Sequence, residues 1–153
     1  MRFVKLLSKY RYFQPLIIAF LLVSCSPAPL KPIIATIKDD SLCQFTQGYC
    51  EQTVDDVIIK LLITPINTPS EKPLTVNLMS SEIISDINIR IEGRDMFMGI
   101  IPIVLNRITD YQYGGQLIYG SCSSHYMVWR AIVSFTLRGQ TKIVIFDFLA
   151  DNE

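Results

Sequence analysis

The residues best suited to chemistry in this sequence are rich in sulfur and lie in its second half. Thioether, thiolate and imidazole groups together form the donor set that suits Cu(I). Alternate residues of a strand share a face, so Met96 would lie beside Met98, and His125 beside Met127. The sequence therefore predicts a candidate copper site that draws on Met96, Met98, Cys122, His125 and Met127.

The same methionines have a simpler interpretation as core residues. Met127 continues the apolar stripe of Trp129, Ala131 and Val133, and methionine commonly fills irregular gaps in protein cores. Sulfur atoms that point among core isoleucines would exclude copper, whereas sulfur atoms that converge on a solvent-reachable point near Cys122 or His125 would favour it. We therefore predict no cofactor first, with copper as the alternative.

The sequence lacks the motifs of common enzymes. His125 is the one histidine, which excludes a multi-histidine zinc site, and no G-x-S-x-G elbow surrounds Ser121, Ser123 or Ser124. The glycine pair at 114–115 lacks the lysine and the following helix of a phosphate loop. The sequence therefore predicts no catalytic residue and a chain that is not an enzyme.

The first 24 residues have the three parts of a secretory signal peptide. Residues 1–11 are cationic, residues 16–23 (LIIAFLLV) form an apolar run of eight, and a small side chain follows. Eight residues span only about 12 Å as a helix, against a hydrocarbon core of roughly 30 Å. We therefore predict that residues 1–24 are removed after export rather than kept as a membrane span.

A cysteine closes this leader. The tetrapeptide LVSC at residues 22–25 resembles the lipobox of bacterial lipoproteins, in which the cysteine is lipidated and becomes the first residue of the mature chain. The resemblance implies acyl chains, palmitate among them, on Cys25, and more than one chain gives stable anchoring. Ser26 in place of aspartate implies the outer rather than the inner membrane. Residues 25–32 hold three prolines and predict a stiff tether.

The charges balance at 14 basic and 14 acidic residues, but they are unevenly placed. Four of the basic residues lie within residues 1–11, so the chain from Cys25 onward carries 10 basic against 14 acidic residues. A mildly acidic domain is a poor electrostatic match for nucleic acid. We therefore exclude nucleic acid, and we expect the membrane, through the lipid anchor, and an envelope protein as partners.

Three cysteines remain after Cys25, and export would place them in an oxidising compartment. Cys43 and Cys50 enclose a short loop in which Gly48 would ease the turn. From chain entropy, a disulfide between them would contribute roughly 2.5 kcal/mol, and a bridge from either one to Cys122 about 4.5 kcal/mol. The sequence favours Cys43–Cys50 and leaves both longer pairings open.

Residues 33–153 have the alternation and the β-branched runs of strands. The cleanest pattern is residues 127–137, whose alternate members are apolar. Glycine-containing turn signals such as residues 138–140 (RGQ) separate the runs. The sequence predicts an all-β domain, an antiparallel immunoglobulin-like β-sandwich of seven or eight strands, with a small barrel as the alternative. The candidate strands are 33–38, 54–64, 74–80, 83–92, 96–105, 116–121, 126–137 and 141–148.

Residues 93–130 also resemble the FixH and YtkA-like families. The resemblance rests on residues 93–99 (GRDMFMG) with Pro102, on residues 113–115 (YGG) and on residues 127–129 (MVW). Members of these families are small exported or membrane-attached β-sandwich proteins, and the first family is associated with copper pumps and cytochrome-oxidase assembly. The resemblance implies the sandwich fold. This chain has a lipobox where those proteins have a membrane helix.

Together these features predict a lipid-anchored protein of the cell envelope that faces the periplasm. Its first predicted role is that of a non-catalytic binding or accessory module, since envelope lipoproteins often serve as accessory subunits. The alternative is a copper-binding or oxidase-assembly accessory that uses the sulfur-rich set. An enzyme of unknown type is the third and weakest hypothesis.

Overall fold

Alternation of apolar and polar residues builds nearly all of the regular structure. The computed structural model describes residues 39–121 and 127–151. The predicted signal peptide, the tether and the candidate strand 33–38 lie outside these residues. Within them, no helix is long and apolar enough to cross a membrane. A 3-10 turn (Phe45–Gln47) precedes nine strands: β1 (Cys50–Val54), β2 (Val57–Thr64), β3 (Leu74–Ser80), β4 (Ser85–Gly93), β5 (Ile100–Ile103), β6 (Leu105–Thr109), β7 (Gln112–Leu117), β8 (Val128–Leu137) and β9 (Gln140–Leu149).

The strands form two antiparallel sheets, one of five and one of four strands. The larger sheet has the order β1-β2-β3-β7-β6, and the smaller one has the order β5-β4-β8-β9. Side chains from the inner faces of both sheets form one core cluster. The predicted antiparallel β-sandwich is therefore confirmed. The barrel alternative is wrong, because the strands belong to two separate sheets.

The nine strands of the described residues exceed the seven or eight predicted, because two edge strands carry little apolar alternation. β1 and β6 lie at the two edges of the larger sheet, and most of their residues are exposed. Because most of their side chains face solvent, neither strand shows the regular apolar stripe by which a strand is located in the sequence. By contrast, the central strand β3 has the predicted bounds, 74–80.

The centre of the core lies between β2 and β8. The four inward residues of β2 are aliphatic and fully buried. The predicted apolar stripe of β8 begins at Trp129, whose ring lies 4.9 Å from that of Tyr119 between centroids. Full burial of one such side chain stabilises the fold by about 1.5–3 kcal/mol. The central core consists of Val57, Ile59, Leu61, Ile63, Trp129, Ala131, Val133 and Phe135.

Gly115 lets the chain cross from one sheet to the other. β5 belongs to the smaller sheet and β6 to the larger, with Val104 alone between them. A Cβ atom on Gly115 would lie 2.8 Å from both the Val104 carbonyl oxygen and the Cγ2 atom of Ile103. The backbone cannot easily move to make room for a Cβ atom at that distance, so the crossing requires glycine at this position. The glycine pair that lacked the features of a phosphate loop thus has a packing role.

The sandwich has two ends that carry different loops. β4 runs from Ser85, paired with Thr136, to Gly93, paired with Trp129. We call the end beyond Gly93 the Arg94 end and the opposite one the Arg138 end. The Arg94 end comprises Asp39 and residues 65–73, 94–99, 118–121 and 149–151. The Arg138 end comprises residues 55–56, 81–84, 110–111 and 138–139.

Candidate functional site

The structure separates the predicted sulfur ligands by burial. Met127 is 7% exposed and belongs to the core cluster. Met98 is half-buried and packs against that cluster, whereas Met96 is 45% exposed. Cys122 and His125 lie outside the described residues. In the part of the chain that the structure describes, no three His, Cys, Asp or Glu side chains come together to hold a metal ion.

Met96 and Met98 lie in the loop of residues 94–99, which precedes β5, and not on a shared strand face as predicted. Two glycines shape this loop. Gly99 has a φ of 84°, a left-handed conformation that glycine adopts readily. A Cβ atom on Gly93 would lie 2.3 Å from the Met96 carbonyl oxygen and 3.1 Å from Met98 Cγ. The loop therefore folds back closely over the end of β4.

The loop exposes an aromatic side chain. Phe97 is 86% exposed, the highest fraction among the large apolar residues of the described chain. Single exposed apolar residues are common on protein surfaces, but burying a phenylalanine is favourable by about 1.5–3 kcal/mol. Ile66 and Ile118, two further exposed aliphatic residues, lie in other loops of the Arg94 end. This end therefore presents apolar side chains to its surroundings.

Four charged side chains meet at the base of the same loop. Arg94, the first residue after β4, donates from Nη1 to Oδ2 of Asp39 at 2.7 Å, and the same nitrogen lies 3.7 Å from Oδ2 of Asp147. Arg130, on β8, donates to both carboxylate oxygens of Asp147 at 2.8 and 2.9 Å. We call these residues the Arg94 cluster: Asp39, Arg94, Arg130 and Asp147. Arg94 also donates from Nε to the neighbouring Asp95.

Burial and hydrogen bonding strengthen this cluster. The Asp147 side chain is only 10% exposed, accepts two hydrogen bonds from Arg130 and lies within ion-pair distance of Arg94. Its hydrogen bond raises the pKa of Arg130. Hydrogen bonds from Ser41 and then from Arg94 lower the pKa of Asp39 to about 2. Asp39 is therefore ionised at neutral pH, and its ion pair with Arg94 attaches the start of the domain to the smaller sheet.

The segment before β1 is attached to the same region. The Cys43 amide donates to the Asp147 carbonyl oxygen at 2.7 Å, and Leu42 forms a parallel bridge with Asp147. This contact covers the free edge of β9, an arrangement that protects a sheet from pairing with other chains. Cys43 forms a disulfide with Cys50, which is the pairing that the sequence favours. The chain thus enters the domain beside the loop of residues 94–99.

Sequence reasoning missed the Arg94 cluster, although one signal for it was available. The two-residue turn at 138–139 pairs Leu137 with Gln140. Counting back from that turn along both strands places Arg130 opposite Asp147. Asp39 has no comparable signal, because its contact with Arg94 spans 55 residues of sequence. This contact depends on how the N-terminal segment packs against the domain.

An open cleft of about 200 Å³ lies near the Arg138 end. Asp86, Arg107 and Leu105 are among its lining residues. Tyr113 also lines it, but the Tyr113 hydroxyl already donates to the Ile84 carbonyl oxygen at 3.1 Å. The volume is below the roughly 300–1,000 Å³ of small-molecule sites, and we assign no ligand to this cleft.

Comparison with known proteins finds only distant similarity in structure. The sequence matches no protein-family model and no curated protein. A DUF4785 family protein from Legionella pneumophila superposes with a TM-score of 0.46 and 9% identity, over 61% of this chain and 28% of that one. The GAE domain of GGA2p from Saccharomyces cerevisiae superposes with a TM-score of 0.38 and 11% identity, over 69% of this chain and 100% of that one. Neither similarity carries a function across.

Proposed function

We propose that the chain is a lipoprotein of the cell envelope, anchored by acyl chains on Cys25, with its β-sandwich in the periplasm. The observation that carries the proposal is the LVSC tetrapeptide at residues 22–25, which completes a cationic and apolar leader. The Cys43–Cys50 disulfide supports export, because disulfides persist in oxidising compartments and are rare in the cytosol. Ser26 favours the outer membrane.

The short tether supports a working position close to the bilayer. Thirteen residues, 26–38, separate Cys25 from Asp39. At about 3.1 Å per residue, the rise of an extended proline-rich segment, they span roughly 40 Å. Asp39 is itself bound to the domain by Arg94. A lipid on Cys25 would therefore keep the sandwich within about one domain diameter of the membrane surface.

Within this setting we propose a non-catalytic binding or accessory role, with an envelope protein as partner. Two of the polar side chains buried in the domain already serve the fold. Asp147 is bound by two arginines, and the Tyr119 hydroxyl donates to the Thr68 carbonyl oxygen. Burial raises the pKa of Tyr119, which keeps that hydroxyl protonated. The surface loops are the regions that are suited to recognition.

Membrane association of the full-length chain in a bacterial host tests this proposal. The parent should incorporate labelled palmitate and stay with the membrane fraction. Cys25→Ala should lose the label and leave the membrane fraction. The matched control is Cys43→Ala/Cys50→Ala, which removes two other cysteines and should keep the label. An unlabelled parent, or a Cys25→Ala variant that is still labelled, contradicts the anchor.

A copper-binding accessory role is the alternative, since thioether, thiolate and imidazole donors suit Cu(I). The loop of Met96 and Met98 lies next to the start of β8, where the Arg94 amide donates to the Val128 carbonyl oxygen at 2.9 Å. This placement favours the alternative, whereas the burial of Met127 favours a packing role for that residue. Titration with Cu(I) should distinguish a copper-binding role of these methionines from a packing role. Binding that Met96→Leu/Met98→Leu abolishes supports a copper site in this loop, whereas a parent that does not bind Cu(I), or binds it no better than the variant, contradicts that site.

A further inference from the structure

We propose that the loop of residues 94–99 makes a second, non-covalent contact with the bilayer, so that the Arg94 end faces the membrane. This inference rests on the lipid anchor proposed above. It assigns a lipid-binding surface to the folded domain and gives the domain an orientation.

Phe97 contributes little to the packing of its own domain. Its side chain is 86% exposed on a loop that Gly93 and Gly99 shape. Phenylalanine is one of the side chains that bury themselves at the boundary between lipid headgroups and acyl chains. Met96, beside it in sequence, adds exposed apolar surface. A bilayer would bury this surface, which the fold leaves in water.

The loop also lies where the tether enters the domain. Arg94, at the base of the loop, binds Asp39, the first described residue of the chain. An anchor on Cys25 would therefore draw this end towards the membrane rather than the Arg138 end. The tether limits the separation to roughly 40 Å and so holds the loop at a high local concentration of lipid. A weak second contact is then enough to orient the domain.

The charges at the base of the loop are paired within the protein. Arg94 binds both Asp39 and Asp95, so the loop offers no unpaired cation for anionic headgroups. Ile66 and Ile118 add exposed aliphatic surface at the same end. We therefore expect apolar insertion to dominate and a zwitterionic bilayer to be sufficient. The Arg138 end would then point away from the membrane, towards partners in the periplasm.

Tryptophan substitution in the full mature lipoprotein reports the contact. The protein is reconstituted in phosphatidylcholine vesicles with or without brominated acyl chains, and Phe97→Trp is compared with Ile83→Trp. Ile83 is a matched control, since it is 60% exposed in a loop of the opposite end. The buried Trp129 of the parent gives the common background. Interfacial segments lie about 5–10 Å into the headgroup boundary, so we expect about threefold stronger bromine quenching for Phe97→Trp, with a blue shift.

The other outcomes separate this inference from the anchor. Equal quenching of the two variants, with the protein still floating with the vesicles, overturns the bilayer contact and leaves the anchor standing. A blue shift of Phe97→Trp without bromine quenching indicates a protein contact and also overturns it. A parent that fails to float with the vesicles contradicts the anchor, and this inference fails with it.

Discussion

The two ends of the β-sandwich use the same types of charged residue but bury them to different degrees. At the Arg138 end, Arg138 binds Glu82, and both side chains are exposed. At the Arg94 end, two arginines converge on Asp147, which is buried. An exposed pair contributes up to about 1 kcal/mol, whereas removing one partner of a buried pair costs about 3–5 kcal/mol. The burial of its ion pairs, rather than their number, therefore stabilises the Arg94 end more strongly than the Arg138 end.

The connections differ as well. At the Arg138 end, the chain reverses in two-residue turns at 55–56 and 138–139, and the residues of both turns have positive φ. Such turns match the twist of the strands they join and leave little surface for recognition. The Arg94 end carries longer loops, the chain entry and Phe97. Its rigid base and projecting apolar loop are the combination expected of a contact surface.

The largest effect that separates the two ends is expected at Asp147. Asp147→Ala leaves Arg94 and Arg130 without their shared partner, and we expect the free energy of unfolding to fall by about 3 kcal/mol. Glu82→Ala, the matched change at the Arg138 end, should cost less than about 1 kcal/mol. Urea denaturation measures both. Equal losses would remove the difference between the ends.

The disulfide should have the next largest effect, because it restrains the segment that enters at the Arg94 end. Cys43→Ala/Cys50→Ala should lower the free energy of unfolding by about 2.5 kcal/mol. A reducing agent should destabilise the parent but not the double variant. A parent whose unfolding does not respond to reductant would show that this pair is not bridged.

Acid should weaken the Arg94 end through Asp39. The pKa of Asp39 is about 2 in the folded chain, against about 3.9 for an unperturbed aspartate. Folding therefore favours the ionised form, and its stabilisation is complete above about pH 5 and lost as the pH falls towards 2. Asp39→Asn should be less stable than the parent near pH 6 and equally stable near pH 2 in denaturation experiments. A difference in stability between parent and variant that does not change with pH would show that the contact depends on the shape of the Asp39 side chain rather than on its charge.

The smallest effect is expected from the exposed loop residues themselves. Phe97→Ser and Ile83→Ser should each leave the free energy of unfolding within about 0.5 kcal/mol of the parent, since both side chains are largely exposed. Thermal unfolding of the two variants checks this. A clear loss for Phe97→Ser alone would show that Phe97 packs within the domain, and the reason to seek an external contact for it would disappear.

The sequence predicts the centre of the fold better than its edges. Strands with a fully buried inner face, such as β3 and β8, repeat a buried residue at every second position, and that pattern locates them. β1 and β6 are edge strands with mostly exposed residues, so the same signal is absent. The loop of Met96 and Met98 was predicted as strand because its apolar residues continue into β5. Its two flanking glycines, Gly93 and Gly99, make it a loop instead.

The candidate site was less predictable, because most of it depends on distant contacts. Arg130 and Asp147 follow from the turn that joins their strands, but Arg94 meets Asp39 only after the N-terminal segment has packed against β9. The sequence also gives no signal that Phe97 is exposed, because a phenylalanine between two methionines resembles a segment of the hydrophobic core. The Cys43–Cys50 pairing was predicted by its short spacing, and the structure has it.

Mass spectrometry of the N-terminal peptide, from protein purified from the membrane fraction, tests the central claim most directly. An acyl anchor at the lipobox predicts a peptide that begins with Cys25 and carries fatty acyl chains. A peptide that retains residues from 1–24, or one in which Cys25 has a free thiol, would contradict it.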